Sequence, residues 1–315
     1  MLFFINKMLK FEKIFYLGLL KFYYLLLINL KKLLIMGKIS HFLLIILCSA
    51  VGFSQNLYDT KKMEFNDFYT SPITSPNGEF ALVTGQQFMG IYLLELKTKK
   101  ITPISITEAN GYGYSWAADN ETIFYKVKPL NGYVMDSEVF SYNIKNRKKD
   151  KVAIDHNYLP SYQGENKVVV YTNIRTLQIE AIDLNTMKSW VVTNTDGQFY
   201  SATLSHDGKK VAVHEGSEIY VYNIDGSGLI AKLGQGIATS WSYDDNFLLG
   251  YLSESNDGHV ISNSDLYLFD VKSERATKIT NTKDVIESNA SFVSADQIIY
   301  ADEKTGDILT SKIKF

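Results

Sequence analysis

A turn that recurs about every 44 residues is the feature that most constrains the fold of this chain. Its copies are short polar segments: Ser75–Glu79, Ala117–Glu121, Tyr162–Asn166, Ser205–Lys209, Ser242–Asn246 and Ser294–Asp296. The third residues of successive copies lie 42, 45, 43, 37 and 52 positions apart. A period of this length, with four short strands per unit, is the size of one blade of a β-propeller.

Each turn is followed by a short apolar strand and then by an alternating one. In the first repeat these strands are Phe80–Val83 and Ile91–Leu96, and in the fourth they are Val211–His214 and Ile219–Ile224. Alternation of apolar and polar residues is typical of half-buried strands, and helical periodicity is almost absent. The pattern predicts an all-β fold over residues 55–315, a six-bladed β-propeller of four-stranded blades.

The sixth repeat ends after its third strand, which lies within Ile308–Phe315. The missing outer strand is found at the other end of the repeat region, where Tyr58–Met63 resembles Leu96–Ile101, the hairpin into the outer strand of the first repeat. We therefore predict that an N-terminal strand joins the last blade and closes the ring. Closure would remove exposed strand edges.

Residues 36–54 have the pattern of an export signal. Met36-Gly37-Lys38 is a short basic start, and Phe42–Val51 is an apolar centre of ten residues, too short for a typical membrane span. Small residues at 52 and 54 precede a cleavage point before Gln55. We predict a cleaved signal peptide and a periplasmic or secreted protein; the alternative is a transmembrane anchor.

Residues 1–35 are interpreted as a mis-assigned start or an extra apolar leader, with Met36 as the true start. The single cysteine, Cys48, lies in the signal. Lipid attachment at Cys48 is disfavoured because Leu47, and not a small residue, precedes it. With one cysteine, the chain has no internal disulfide framework and no cysteine-cluster metal site.

The charge of the repeat region narrows the range of partners. Residues 55–315 hold 25 basic and 33 acidic residues, a net charge of −8, whereas residues 1–54 hold seven Lys and one acidic residue. A nucleic-acid partner is not expected, because such proteins carry a basic excess. We expect membrane contact only through the leader, and we predict a monomer.

The repeat also resembles a known one. The best copies are Ser240-Trp-Ser-Tyr-Asp244, Thr203-Leu-Ser-His-Asp-Gly-Lys209 and Thr74-Ser-Pro-Asn-Gly78, and Leu266–Asp270 and Ile219–Asn223 match its Tyr-rich strand. Together they resemble the repeat of TolB-like and WD-repeat-like six-bladed propellers, and of the propeller domains of prolyl-oligopeptidase-type peptidases. The resemblance covers residues 57–315 and implies the propeller and a partner-binding role.

Two residue types in the repeat have a structural interpretation. We expect Trp116 and Trp241, three residues before a turn Asp, to fill the gap between neighbouring blades. We expect each turn Asp to accept hydrogen bonds from the backbone and to fix its hairpin. Neither role is catalytic.

Motifs of catalysis are absent from the sequence. The string nearest to a nucleophile elbow, Gly113-Tyr-Ser-Trp-Ala117, lacks the final Gly. No sialidase-type Asp box, phosphate-binding loop, His-Glu-x-x-His or dinucleotide fingerprint occurs. We predict a non-catalytic protein without a cofactor. The alternative is a carbohydrate-active enzyme, or a sugar-binding propeller, that uses histidines or carboxylates in the channel.

Two parts of the sequence contain side chains that could bind a metal ion. Of the histidines, His156, His214 and His259 are the three that a shared metal would need on one face, while His206 lies in a turn; scattered histidines are favoured. One polar loop offers oxygen ligands for calcium, but it lacks the spacing of a known calcium loop, so a surface loop is favoured. Its residues are Asn256, Asp257, Gly258, Asn263 and Asp265.

The loops that join second to third strands, and those that join successive blades, are expected on one side of the ring. They are rich in Tyr and Phe with a few charges, the composition of recognition surfaces. The predicted binding face comprises Phe88, Tyr112, Tyr114, Tyr133, Tyr158, Arg175, Phe199 and Tyr200, with Glu215, Asp136 and Asp155 beside them. We therefore predict an exported platform that binds a protein or cell-envelope partner.

Overall fold

The fold is seen in a computed structural model, which describes residues 57–107, 110–128, 137–152, 159, 167–255 and 257–315. These residues form a six-bladed β-propeller, as the repeat predicts. Five blades are four-stranded sheets, and the described part of the third blade is a three-stranded sheet. The segments predicted as leader and signal peptide, residues 1–35 and 36–54, lie outside the described residues and stay predictions.

In blades 1 to 5 the described strands follow one another in chain order from the inner to the outer position. Blade 1 consists of β2 (Tyr69–Thr74), β3 (Phe80–Gly85), β4 (Ile91–Glu95) and β5 (Lys100–Ser105). Blade 2 consists of β6 (Tyr114–Trp116), β7 (Thr122–Val127), β8 (Glu138–Asn143) and β9 (Lys149–Lys151). Blade 3 is described by β10 (Val168–Asn173), β11 (Gln178–Asp183) and β12 (Lys188–Val191).

The next two blades are complete. Blade 4 consists of β13 (Tyr200–Leu204), β14 (Lys210–Glu215), β15 (Glu218–Asn223) and β16 (Leu229–Gln235). Blade 5 consists of β17 (Ile237–Trp241), β18 (Phe247–Ser255), β19 (Ile261–Asp270) and β20 (Arg275–Lys278). Two 3-10 turns, Gln86–Phe88 and Asn110–Tyr112, lie in loops of blade 1 and between blades 1 and 2.

Blade 6 combines strands from both ends of the repeat region. It contains β21 (Glu287–Ser294), β22 (Gln297–Asp302), β23 (Asp307–Ile313) and the N-terminal strand β1 (Leu57–Met63). β1 pairs antiparallel with β23, with Leu57 opposite Ile313 and Met63 opposite Ile308. The pairing predicted between Tyr58–Met63 and the last blade is therefore present.

The hydrophobic core lies between adjacent blades. One cluster joins Ala212 and Val221 of blade 4 to Trp241 and Phe269 of blade 5, and comparable clusters join blades 1 and 2, 3 and 4, 5 and 6, and 6 and 1. Sheets that are apolar on both faces stack in this way, because each sheet buries one face against each neighbour.

The two tryptophans occupy the predicted places between blades. Trp116 of blade 2 donates its indole N–H to the carbonyl oxygen of Ile73 in blade 1, at 2.9 Å. Trp241 of blade 5 donates to the carbonyl oxygen of Thr203 in blade 4, at 3.0 Å. Each ring is buried against the inner strand of the preceding blade, so both fill space and fix the distance between inner strands.

The turn residues also act as predicted. Asp207 Oδ1 accepts from the hydroxyl of Ser205 at 2.7 Å and from the backbone N–H of Lys209 at 3.0 Å. Asp119 likewise accepts from two backbone N–H groups, and Asp244 and Asn77 accept within their own turns. Each carboxylate or amide oxygen therefore closes one hairpin.

Candidate functional site

The order of the strands divides the loops into two groups. Because the strands of a blade are antiparallel, loops that join second to third strands lie at the same end as loops that join successive blades. We call this end the upper face. The recurring turns lie at the opposite end, the lower face, together with the hairpins that lead into the outer strands.

Exposed apolar side chains are concentrated at the upper face. Of 18 large apolar side chains that are exposed in the described part of the chain, seven lie in upper-face loops: Phe88, Met89, Ile106, Tyr112, Ile174, Leu177 and Val260. Only Met187 and Tyr243 of these 18 lie in lower-face turns. An uneven distribution of this kind marks an interaction surface.

Phe88 and Tyr112 form the most defined feature of the upper face. Their rings stack with centroids 4.4 Å apart and planes inclined at 30°. The side chains are 39% and 56% exposed, so the pair is held together while one surface stays in contact with water. Exposed Met89 and Ile106 belong to the same two loops. A preformed aromatic pair offers a large contact area at low cost in side-chain entropy.

The backbone around the aromatic pair is unusually constrained. Gln87 and Phe88 both adopt left-handed backbone angles, with φ of 54° and 58°, which non-glycine residues rarely do. Opposite them, a Cβ atom on Gly111 would overlap the hydroxyl of Thr84 and lie 2.8 Å from the carbonyl oxygen of Phe88. Glycine at 111 thus allows the two loops to approach closely enough for the rings to stack.

The structure places the eight predicted face residues in three groups. Phe88, Tyr112, Tyr200 and Arg175 are exposed on the upper face. Tyr133 and Tyr158 lie outside the described residues, as do Asp136 and Asp155. Tyr114 and Phe199 are buried, at 5% and 2% exposure, and the prediction that they belong to an exposed face is corrected.

The burial of Tyr114 and Phe199 has a clear physical cause. Tyr114 begins the inner strand β6, and its hydroxyl donates to the carbonyl oxygen of Ser71 in blade 1 at 2.5 Å. Phe199 packs edge-on against Tyr222, with ring centroids 5.7 Å apart, in the core between blades 3 and 4. Both rings stabilise contacts between blades.

Tyr200 and Glu215 lie at the upper end of blade 4. The ring of Tyr200 stacks on His214 with centroids 5.7 Å apart, and its hydroxyl donates to the carbonyl oxygen of Gly216. Glu215 is half-buried and accepts from the backbone N–H of Gln198 at 3.3 Å. Tyr200 is thus exposed but tied to its own blade.

The histidines do not form a metal site in the part of the chain that the structure describes, where no group of three metal-ligating side chains comes together. His214 is buried, and its Nε2 accepts from the backbone N–H of Ala238 at 3.0 Å. Burial lowers the pKa of His214, so its imidazole is neutral at neutral pH. His259 is exposed, and His156 lies outside the described residues.

The polar loop of blade 5 is held by its own hydrogen bonds. Asp257 accepts from the backbone N–H groups of His259 and Val260, both at 2.9 Å. Asp265 is buried and pairs with Lys278, with Nζ 2.6 Å from Oδ2. Asn256 lies outside the described residues. Asp257 and Gly258 therefore lie in a surface loop, whereas Asn263 and Asp265 belong to β19, and the prediction that these two residues are part of the loop is corrected.

A cavity of about 300 Å³ lies along the channel, between the inner strands. The described part of its wall carries hydroxyl side chains: Thr74, Ser115, Thr203, Thr239, Ser240 and Ser291. Several of them fasten adjacent inner strands; Thr74 Oγ1, for example, lies 2.8 Å from Ser291 Oγ and donates to the carbonyl oxygen of Phe292 at 2.6 Å. Their hydrogen bonds thus hold the blades together around the channel.

The lower mouth of the channel is crossed by Tyr243. Its hydroxyl donates towards the carbonyl oxygens of Val293 and Pro76, at 3.0 and 3.3 Å, and its ring stacks on His206. Among the described residues that line the cavity, His206 is the one titratable imidazole, and no carboxylate is present. A carbohydrate-active enzyme or sugar-binding propeller that uses histidines or carboxylates would therefore have one such side chain, His206, in the described part of this wall.

Asn120 and Asp245 form links between blades that the sequence reasoning missed. In four of the described copies the residue after the turn Asp or Asn is left-handed: Gly78, Asn120, Gly208 and Asp245, with φ between 55° and 68°. Asp245 accepts from the backbone N–H groups of His206 and Asp207 in blade 4, both at 2.8 Å, and Asn120 accepts from the N–H of Asn77 in blade 1 at 2.7 Å. The sequence does contain a signal for these links. At the position that is glycine in two of these four copies, the other two have Asn120 and Asp245, whose side chains can form hydrogen bonds.

Comparison with solved structures confirms the fold. TolB from Acinetobacter baumannii superposes with a TM-score of 0.57 at 18% identity, over 70% of this chain and 56% of TolB. The β-propeller domain of Cps50 (Swd1) from Myceliophteria thermophila gives 0.56 at 10% identity, over 81% of this chain and all of that domain. A protein of unknown function from Bacteroides thetaiotaomicron gives 0.57 at 8% identity, over 83% and 74%.

These likenesses concern the fold alone, because all three identities are below 20%. The chain spans just over half the length of the TolB structure that it matches. The sequence matches no family model and no curated protein. Within the described residues, no helix has the length and apolar character needed to cross a membrane.

Proposed function

We propose that this chain is an exported, non-catalytic β-propeller that binds a protein or cell-envelope partner with its upper face. The stacked pair of Phe88 and Tyr112 carries the proposal, because it is exposed, preformed and set in a constrained backbone. A few side chains contribute most of the binding energy at protein interfaces, and aromatic anchors are enriched among them. The concentration of exposed apolar residues at the same end supports the choice of face.

The remaining parts of the proposal rest on the sequence. Export to the periplasm or out of the cell follows from the signal-like segment 36–54, and the acidic charge of residues 55–315 argues against a nucleic-acid partner. The protein acts as a monomer and needs no cofactor for binding. The similarity of the fold to TolB supports a role as a binding platform. The partner itself is to be identified by experiment.

Replacement of both rings tests the proposal. We expect Phe88→Ala/Tyr112→Ala to reduce capture of the envelope partner at least about 30-fold, because loss of two anchoring rings removes about 2 kcal/mol or more of binding free energy. The partner is the protein or envelope component enriched by immobilised wild-type chain, and its affinity is then measured by titration. Circular dichroism verifies that the variant is folded.

Met187→Ala is the matched control, since Met187 is 60% exposed but lies on the lower face. We expect it to bind like the wild type. Equal affinity of the wild type and the double variant would contradict the assignment of the binding face.

A further inference from the structure

A fully buried carboxyl group lies where blade 5 meets blade 6. We call this region, formed by Ser264, Asp265, Lys278 and residues 279–287, the joint between blades 5 and 6. The loop 279–286 leads from β20 to β21, and Glu287, at the start of β21, has no exposed surface. Ser264 of blade 5 forms a parallel bridge with Ile286, and its hydroxyl donates to the carbonyl oxygen of Glu287 at 2.6 Å. The loop lies on the upper face, so the joint connects that face to the packing of two blades.

The charges in this joint do not balance if every carboxyl group is ionised. Asp265 on β19 is also buried, and Lys278 on β20 neutralises it, with Nζ 2.6 Å from Oδ2. Among the described residues, Glu287 Oε2 has no hydrogen-bond partner. A buried carboxylate without a compensating charge is strongly unfavourable, so a proton or a cation is needed at Glu287.

The neighbouring strand β22 does not supply that charge. It presents Tyr300, a neutral phenol whose pKa is raised by burial, and Asp302, which lies opposite Glu287 in the sheet. Asp302 already accepts from the backbone N–H of Ile286 at 3.1 Å and from Thr305. Glu303, the next residue, is also acidic. The described groups around Glu287 therefore add negative charge, apart from Lys278.

The hydrogen bonds of Thr282 indicate which compensation is used. Its Oγ1 lies 2.9 Å from Glu287 Oε1 and 3.3 Å from the carbonyl oxygen of Val285. A hydroxyl has one proton to donate, and a carbonyl oxygen only accepts. The arrangement that gives each contact its own proton is the one in which a protonated Glu287 donates to Thr282, which then donates to Val285.

We propose that Glu287 is protonated in the folded protein and that this proton latches the joint between blades 5 and 6, which loosens as the pH rises. Burial raises the pKa of Glu287 to about 7, because it outweighs hydrogen bonding to Thr282 and Thr280, which lowers the pKa, and the negative charge of Asp265 acts in the same direction as burial. The latch is a regulatory feature that goes beyond the proposed binding function. It makes the attachment of the loop 279–286 to the two blades depend on pH.

The direction of the pH effect follows from proton linkage. Between the pKa of an unfolded Glu, about 4.3, and about 7, the folded state binds a proton that the unfolded state has lost. The contribution of Glu287 to stability therefore decreases through this window and is constant above it. His214, whose pKa is lowered, acts in the opposite direction, so the comparison must be made with a variant that retains His214.

Thermal unfolding of the wild type and Glu287→Gln, from about pH 5 to about pH 8, tests the latch. The amide mimics the protonated acid, so we expect the melting temperature of Glu287→Gln relative to wild type to rise by about 5 to 10 °C across this range. Glu274→Gln, an exposed carboxyl in a turn of blade 5, is the control and should show no such change. The proposal would be overturned if the difference in melting temperature between the wild type and Glu287→Gln did not change with pH.

Two further measurements distinguish a proton from a metal ion at Glu287. The infrared spectrum of the wild type at neutral pH should contain the C=O band of a protonated acid that Glu287→Gln lacks; absence of this band overturns the proposal. At about pH 8, Ca²⁺ and a chelator should leave the wild-type melting temperature unchanged. Stabilisation by Ca²⁺ in the wild type but not in Glu287→Gln would assign a cation to the joint and contradict the proton latch.

Discussion

Deletion of Leu57–Met63 from the full chain is expected to remove cooperative folding of the propeller, or to lower its free energy of unfolding by more than about 4 kcal/mol. β1 is the outer strand of blade 6, and its loss leaves the backbone groups of β23 unpaired along five registered positions. Met63 is also buried between blades 6 and 1, and removal of such a side chain alone costs about 2 to 3 kcal/mol. Urea unfolding followed by circular dichroism measures the effect.

The exposed residues of the same strand provide the control. Lys61 and Asp59 form an ion pair that is open to solvent, so Lys61→Ala is expected to change the free energy of unfolding by less than about 1 kcal/mol. Size-exclusion chromatography should show association of the deletion variant through the free edge of β23. A deletion variant that remains monomeric and unfolds at the urea concentration of the wild type would show that β1 is not needed to complete blade 6.

Asp245→Gly is expected to lower the free energy of unfolding by about 3 kcal/mol. Glycine retains the left-handed backbone at this position but removes a buried carboxylate that accepts from two backbone N–H groups of blade 4 and lies 3.0 Å from His206 Nδ1. Buried donors without partners, and hydrogen bonds to a charged group, account for the size of the loss. Urea unfolding again gives the measurement.

The control is Asn120→Gly at the equivalent position of blade 2. Asn120 accepts one exposed hydrogen bond from Asn77, so we expect a loss below about 1 kcal/mol. Although burial alone raises the pKa of Asp245, hydrogen bonds from His206 and Asp207 lower it overall, so its contribution should disappear as the pH falls below about 4. Equal stabilities of Asp245→Gly and Asn120→Gly would contradict the role of Asp245 as a link between blades.

The architecture was predictable because each blade repeats the same local solution. The turn residues at Asn77, Asp119, Asp207 and Asp244 close hairpins by bonds within a few residues, so their spacing reports the blade period directly. The unfinished sixth repeat likewise predicted the pairing of β1 with β23. These features depend on local chemistry and on counting strands.

Side-chain burial at the upper face was less predictable, because it depends on contacts between blades. Tyr112 and Tyr114 are two residues apart, yet Tyr112 is exposed and Tyr114 is buried with its hydroxyl on a carbonyl of the preceding blade. Their positions in the sequence did not show which of the two side chains is exposed. The stacking of Phe88 on Tyr112 required two loops that are distant in the sequence to meet at Gly111, a contact that no local pattern records.

The charge balance of the buried carboxyl groups could not be predicted from the sequence either. The sequence groups Asp265 with the residues of a polar loop, but its side chain is buried and forms an ion pair with Lys278. Glu287 gave no signal, since an isolated Glu at the start of a strand is ordinary in a sequence. Its importance follows from complete burial and from the single proton of the Thr282 hydroxyl.

Site-specific photo-crosslinking in the producing cell tests the central claim most directly. A photoreactive phenylalanine analogue is incorporated at Tyr112 on the upper face or, as the matched position, at Met187 on the lower face; both side chains are about equally exposed, at 56% and 60%. We expect illumination to give a discrete crosslinked partner from position 112 and none from position 187. A partner captured from position 187, with none from position 112, would show that the propeller binds through its other face.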